Sequence, residues 1–142
     1  MKITNRTRRT LLGSQVRMAD TWLGRLRGFL ARPAPKQGEG ILLLPCNAIH
    51  TFGMTFDLDV LFLDAEGKVL KLRRSVPPWK ITGRVSGGRY VLEVPVGTID
   101  ASGTQVGDEL TWYEPVNESL TFRPIVDQGT RALGLGEERG TA

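Results

Sequence analysis

The sequence predicts a mainly β domain of the α+β type: a small, partly open β-barrel or a strongly curved, antiparallel-rich sheet, with one N-terminal amphipathic helix packed against it. Three observations predict it. Apolar and polar residues alternate at a period of two in several short runs, most clearly in Phe56-Asp57-Leu58-Asp59-Val60. Glycines and prolines interrupt these runs at the short intervals expected of turns. Helical spacing is sustained only once, by Trp22, Leu23, Leu26, Phe29 and Leu30.

Taken in order, Leu11 to Met18 reads as the first strand, weakened by Gly13. Asp20 or Thr21 can N-cap a helix over about 22–31, because either side chain can accept a backbone N–H, and Pro33 and Pro35 end it. Arg25 and Arg32 lie off its apolar stripe. Lys36 to Gly40 is a loop before a short buried strand, Ile41 to Leu44, closed by Pro45. The alternation from Phe56 becomes apolar on both faces by Phe62, as in a strand entering a core. Asp64-Ala65-Glu66-Gly67-Lys68 has hairpin-turn chemistry, with Gly67 free to take positive φ, and Val69 to Arg73 returns as the partner strand. After a glycine-containing loop, Arg89 to Val94 is a strand stopped by Pro95. Thr98 can cap a helical turn over 99–102, and Gly107-Asp108 turns into a last strand, Glu109 to Tyr113.

With 142 residues the chain is long enough for one core and short for two. Residues 1–114 form one domain in this reading, and 115–142 form a loosely attached or mobile tail, from which Leu120, Phe122 and Ile125 can dock as an extra strand. One cysteine excludes an internal disulfide, and no apolar run approaches the roughly 20 residues of a membrane-spanning helix. No signal peptide is evident behind the basic N-terminus, so a cytoplasmic location is expected. The net charge of +4 is spread along the chain without interleaved aromatics, which argues against nucleic acid as a partner.

Chemistry concentrates in residues 46–59, which hold the sole cysteine, Cys46, the sole histidine, His50, and the paired Asp57 and Asp59. His50 can act as a general base, a ligand or a hydrogen-bonded structural residue. Asp59, between Leu58 and Val60, must be paired or hydrogen-bonded if buried, with His50, a backbone N–H or Lys80 as candidates. Trp79 either caps one end of the fold or serves as a recognition anchor. With Phe52 and Met54 it can form an apolar rim around His50 and Asp59. Glu93 alternates out of phase with Tyr90, Leu92 and Val94, which in a one-sided sheet is the solvent face. Cys46, His50 and Met54 recur every four residues, yet no paired-cysteine motif accompanies them, and neither metal nor cofactor is expected.

These residues carry a resemblance. Ile49-His50-Thr51-Phe52-Gly53-Met54 and Leu58 to Asp64 are similar to the core signature of the domain-of-unknown-function family numbered 192. So are Gly28-Phe29-Leu30, Gly38 to Leu43, Pro77-Pro78-Trp79-Lys80, Tyr90 to Thr98 and Gly107-Asp108, spanning roughly residues 10–113 in consistent order. Where the family usually reads Arg-Pro-Trp-Arg, this chain has Pro77-Pro78-Trp79-Lys80, so an anion contact by that first arginine has no counterpart here. The resemblance implies a small, mainly β, barrel-like domain and brings no activity with it.

Three functions fit the residues. The first is a non-catalytic binding module with a small-molecule or peptide cleft near His50, Asp59 and Trp79, with Cys46, Asp57, Lys80 and Glu93 as accessory groups. The second is a small hydrolase using His50 with Asp59 or Cys46. The third is an assembly factor acting through a sheet edge. The sequence contains no nucleophile elbow or phosphate-binding glycine loop, which favours binding.

Overall fold

The computed structural model describes residues 1–20, 29, 32–115 and 122–124. Among these residues, nine strands and one short helix follow in the order β1 (Lys2–Asn5), β2 (Thr10–Gly13), β3 (Gln15–Ala19), β4 (Glu39–Leu43), β5 (Leu58–Leu63), β6 (Val69–Val76), β7 (Tyr90–Val94), α1 (Thr98–Ser102), β8 (Leu110–Pro115) and β9 (Phe122–Pro124). They form two sheets. One runs β2-β1-β8-β9 and the other β3-β4-β7-β5-β6, every pair antiparallel except β3–β4. The expected β-rich, antiparallel-rich fold is present. The closed barrel is not: the described residues make two packed sheets, joined by the bridge Lys68 to Glu109, from the β5–β6 turn to the head of β8, and by reciprocal hydrogen bonds between Met1 and Val16. The N-terminal helix expected over 22–31 lies outside the described residues apart from Phe29, as does most of 115–142.

Alternation explains the layering. The inward faces of both sheets meet in one core containing Ile3, Leu12, Leu110 and Trp112 from the first sheet and Val16, Leu42, Leu61, Leu63, Leu92 and Val94 from the second. The other face of the second sheet carries Ala19, Ile41, Leu43, Val60, Phe62 and Val91, and is covered by Phe29, Met54 and half-buried Cys46, Ile49 and Phe56. Because both faces are covered, every residue of β5 and β7 is buried.

Two departures from the expected strands have local causes. Leu11 to Met18 is two strands in different sheets, because the chain turns a corner at Ser14. Gly13 permits it: a Cβ there would fall 2.8 Å from Val16 Cγ2 and 3.0 Å from the Gly38 carbonyl. Strand β1, read from sequence as a basic terminus, turns Asn5 into the core. There Asn5 Nδ2 donates to Thr104 Oγ1 and Asp108 Oδ2, each at 3.0 Å, so the buried amide is satisfied. The same Asp108 oxygen accepts Arg8 Nε and the Gln105 N–H. Burial alone would raise this carboxyl, but these donors and the Arg8 charge hold it below the usual range.

Candidate functional site

The loops over residues 44–57 and 77–88 are bound to each other by two buried threonines. Thr51 Oγ1 donates to the Pro77 carbonyl at 2.7 Å and accepts the Lys80 N–H at 2.9 Å. Thr82 Oγ1 accepts the Ile49 N–H at 3.0 Å. Backbone bonds from Thr51 to Lys80, Trp79 to Thr51 and Thr82 to Ile49, with a bridge between His50 and Ile81, complete the seam. Neither threonine stands out in the sequence. The available signal is a β-branched hydroxyl inside an apolar or loop segment, where burial demands a backbone partner.

This seam holds a ladder of three rings on the surface. His50 and Phe52 lie 5.1 Å apart between centroids, tilted by 33°, and Phe52 stacks on Trp79 at 5.8 Å and 28°. His50 is exposed, as are Phe52 at 41%, Trp79 at 68% and Ile81 at 66%. Trp79 is held at φ 63, a left-handed conformation that costs a bulky residue about 1–3 kcal/mol, while its N–H donates to the Thr51 carbonyl at 3.1 Å. His50 Nδ1 accepts the Phe52 N–H at 3.3 Å, which leaves Nε2 as the outward-available ring nitrogen. Lys80 is exposed beside the ladder.

The other expected site residues sit elsewhere. Met54 is buried in the second core beneath the loop. Asp59 is buried at the head of β5, and its carboxylate is engaged by backbone amides: Oδ1 by Ser75 at 3.0 Å, Oδ2 by Gly97 at 3.1 Å and Ile99 at 3.0 Å. It therefore supplies the cap that α1 lacks, since Gly97 occupies the N-cap position and the expected Thr98 side-chain cap does not form. Asp57 is exposed, and Cys46 is half-buried with Sγ donating to the Ala48 carbonyl at 3.1 Å. Among the described residues no group of three or more His, Cys, Asp or Glu converges as a metal site would require.

Glu93 departs from its expected solvent-facing position. It lies opposite the inter-sheet core, as the alternation requires, but that second face is itself covered, so the side chain is buried between Ile41 and Val60 of the neighbouring strands. Its Oε1 has no hydrogen-bond partner. Burial pushes the carboxyl up to about 7.

Among the described residues, no helix is long and apolar enough to cross a membrane. The family model DUF192, described as Uncharacterized ACR, matches residues 2–112. A UPF0127 protein of Thermococcus sibiricus is 31% identical over 144 residues, covering 98% of this chain and 91% of the relative. A UPF0127 protein of Pyrococcus abyssi is 31% identical over 116 residues, covering 78% of this chain and 96% of the relative. A crystal structure of a protein of unknown function from Novosphingobium aromaticivorans superposes with a TM-score of 0.68 at 20% identity, covering 78% of this chain and 82% of that one, a likeness of fold.

Proposed function

Since the chain belongs to the DUF192 family of uncharacterized proteins, we propose a function from its own geometry: a non-catalytic binding module that receives the apolar face of a small ligand or peptide on the His50–Phe52–Trp79 ladder. The exposed stack of three rings carries this reading. Clustered exposed apolar side chains are tolerated mainly where a partner covers them, and here Ile81 extends the patch. His50 Nε2 and Lys80 at its margin supply the few polar groups that fix a ligand's orientation. The strained Trp79 backbone adds support, because such strain gathers at binding and catalytic sites.

The hydrolase reading has less support. Asp59 gives its oxygens to three backbone amides, and Cys46 Sγ points its proton at a carbonyl, so neither orients His50 by a described bond. For pairing through a sheet edge, β6 ends the described order of its sheet, but Lys71 and Arg74 are exposed along it, and charge on an edge disfavours strand addition.

Fluorescence tests the binding reading, with the Trp79→Phe variant subtracted to isolate Trp79 from Trp22 and Trp112. A library of short peptides and flat apolar fragments is titrated against it. A binder shifts Trp79 emission to the blue, and Phe52→Ala weakens that response at least tenfold. The reading fails if no probe alters the emission, or if Phe52→Ala leaves the response intact.

A further inference from the structure

A second concavity lies away from the ring ladder, where Phe29 and residues 32–35 meet β3 and β4 near Gln15 and Glu39. It encloses about 310 Å³, at the small end of the roughly 300–1,000 Å³ typical of small-molecule pockets. Its apolar wall is Phe29, Pro33, Pro35 and Ile41, and its polar groups include Arg17 and Arg32. Arg17 enters from β3 because it lies in register with Ile41, on the same face of the sheet. Arg17 is already engaged within the protein. Arg32 differs: its Nε is buried and has no hydrogen-bond acceptor. A guanidinium N–H removed from water without a partner is costly, and among the described residues no carboxylate pairs with it. Among the described residues the one acidic side chain lining the cleft is Glu39, whose Oε1 accepts the Lys36 N–H at 2.7 Å.

We infer that this cleft binds a small amphipathic oxyanion, a carboxylate or phosphate monoester with a short apolar body, whose oxygens accept from Arg32 while its body packs against Phe29, Pro33 and Ile41. Among the described residues, two guanidiniums against one engaged carboxylate give the lining a net positive charge, and a planar guanidinium is matched in geometry to both oxyanions. The apolar wall then discriminates an amphipathic acid from a bare inorganic ion. The site does not depend on the ring ladder, so the two stand or fall separately.

Calorimetric titration of the full chain with hexanoate, phenylacetate and phenyl phosphate tests it, with hexanol and inorganic phosphate as controls. At least one organic oxyanion binds saturably, and binds at least tenfold more tightly than either control. Preference between the carboxylates and phenyl phosphate identifies which oxyanion the site takes. Arg32→Gln weakens that binding at least tenfold. Ala34→Trp, which fills the exposed mouth of the cleft without touching the core, abolishes it in a protein whose unfolding transition is retained. Trp79→Ala leaves it unchanged. The inference is overturned if no organic oxyanion binds, if hexanol or inorganic phosphate binds equally well, or if Arg32→Gln and Ala34→Trp both bind as the parent does.

Discussion

The carboxylate of Asp59 accepts the backbone N–H of Ile99 at 3.0 Å, across forty residues of chain. One oxygen thereby fixes the first turn of α1 through Gly97 and Ile99, and the other holds the left-handed kink at Ser75, where φ is 50. A single side chain at the head of β5 therefore joins the end of β6 and the start of α1.

Asp59→Ala leaves three backbone amides without this acceptor, the buried one of Ile99 among them, and lowers stability by about 2–4 kcal/mol. Urea denaturation monitored by far-ultraviolet dichroism measures it. A midpoint equal to the parent's contradicts the structural role. Asp59→Asn, which keeps one acceptor oxygen, falls between the two.

Glu93 makes stability depend on pH in a defined direction. Its carboxyl titrates near 7 when folded, against an ordinary value of 4.5 in the open chain. Below about 4.5 both states are protonated and the group contributes nothing adverse. As pH rises from about 4.5 to 7 the unfolded chain ionises first, so stability falls, by about 3 kcal/mol in all, and then levels. Glu93→Gln removes this component. The difference between parent and variant, measured from pH 4 to 8, is expected to slope through that window, and a flat difference contradicts the assignment.

Gly67 is required by the turn between β5 and β6. It sits at φ 83, and a Cβ there would lie 2.5 Å from the Leu110 carbonyl oxygen. Gly67→Ala is expected to cost about 2–4 kcal/mol from strain and crowding together, read as a lower thermal midpoint. Gly83 also has positive φ but has open space around it, so Gly83→Ala costs less.

Trp79 is the converse case. Exposed and strained, it contributes little to the core, so Trp79→Gly keeps or raises the thermal midpoint while lowering the red-edge emission and the fraction of it that iodide quenches. A drop of several degrees would show that the ladder is structural.

Much of this fold is legible in the sequence because its strands announce themselves locally. The alternation into Val60 to Leu63 and the Asp64–Gly67 turn are patterns that one element produces alone. Asp59 is legible for a similar reason, since a carboxylate between two apolar neighbours needs partners wherever the chain goes. The sequence leaves open which partners, because the amides of Ser75, Gly97 and Ile99 arrive only with the tertiary fold. The burial of Glu93 is invisible for the same reason: parity assigns its face, but only the second layer decides whether that face is wet. Strand β1 carries too little apolar character to register, and the ring ladder depends on two loops meeting.

The covering of both faces of β5 and β7 has a consequence in time. An amide such as that of Leu61 or Leu92 has no route to solvent through local fraying, because loosening either layer leaves the other in place. Deuterium reaches such positions through opening of the whole domain, whereas the exposed loop bearing Phe52 exchanges through small, frequent excursions. The slowest-exchanging amides of this chain thus become an internal clock, reporting global stability under native conditions without denaturant.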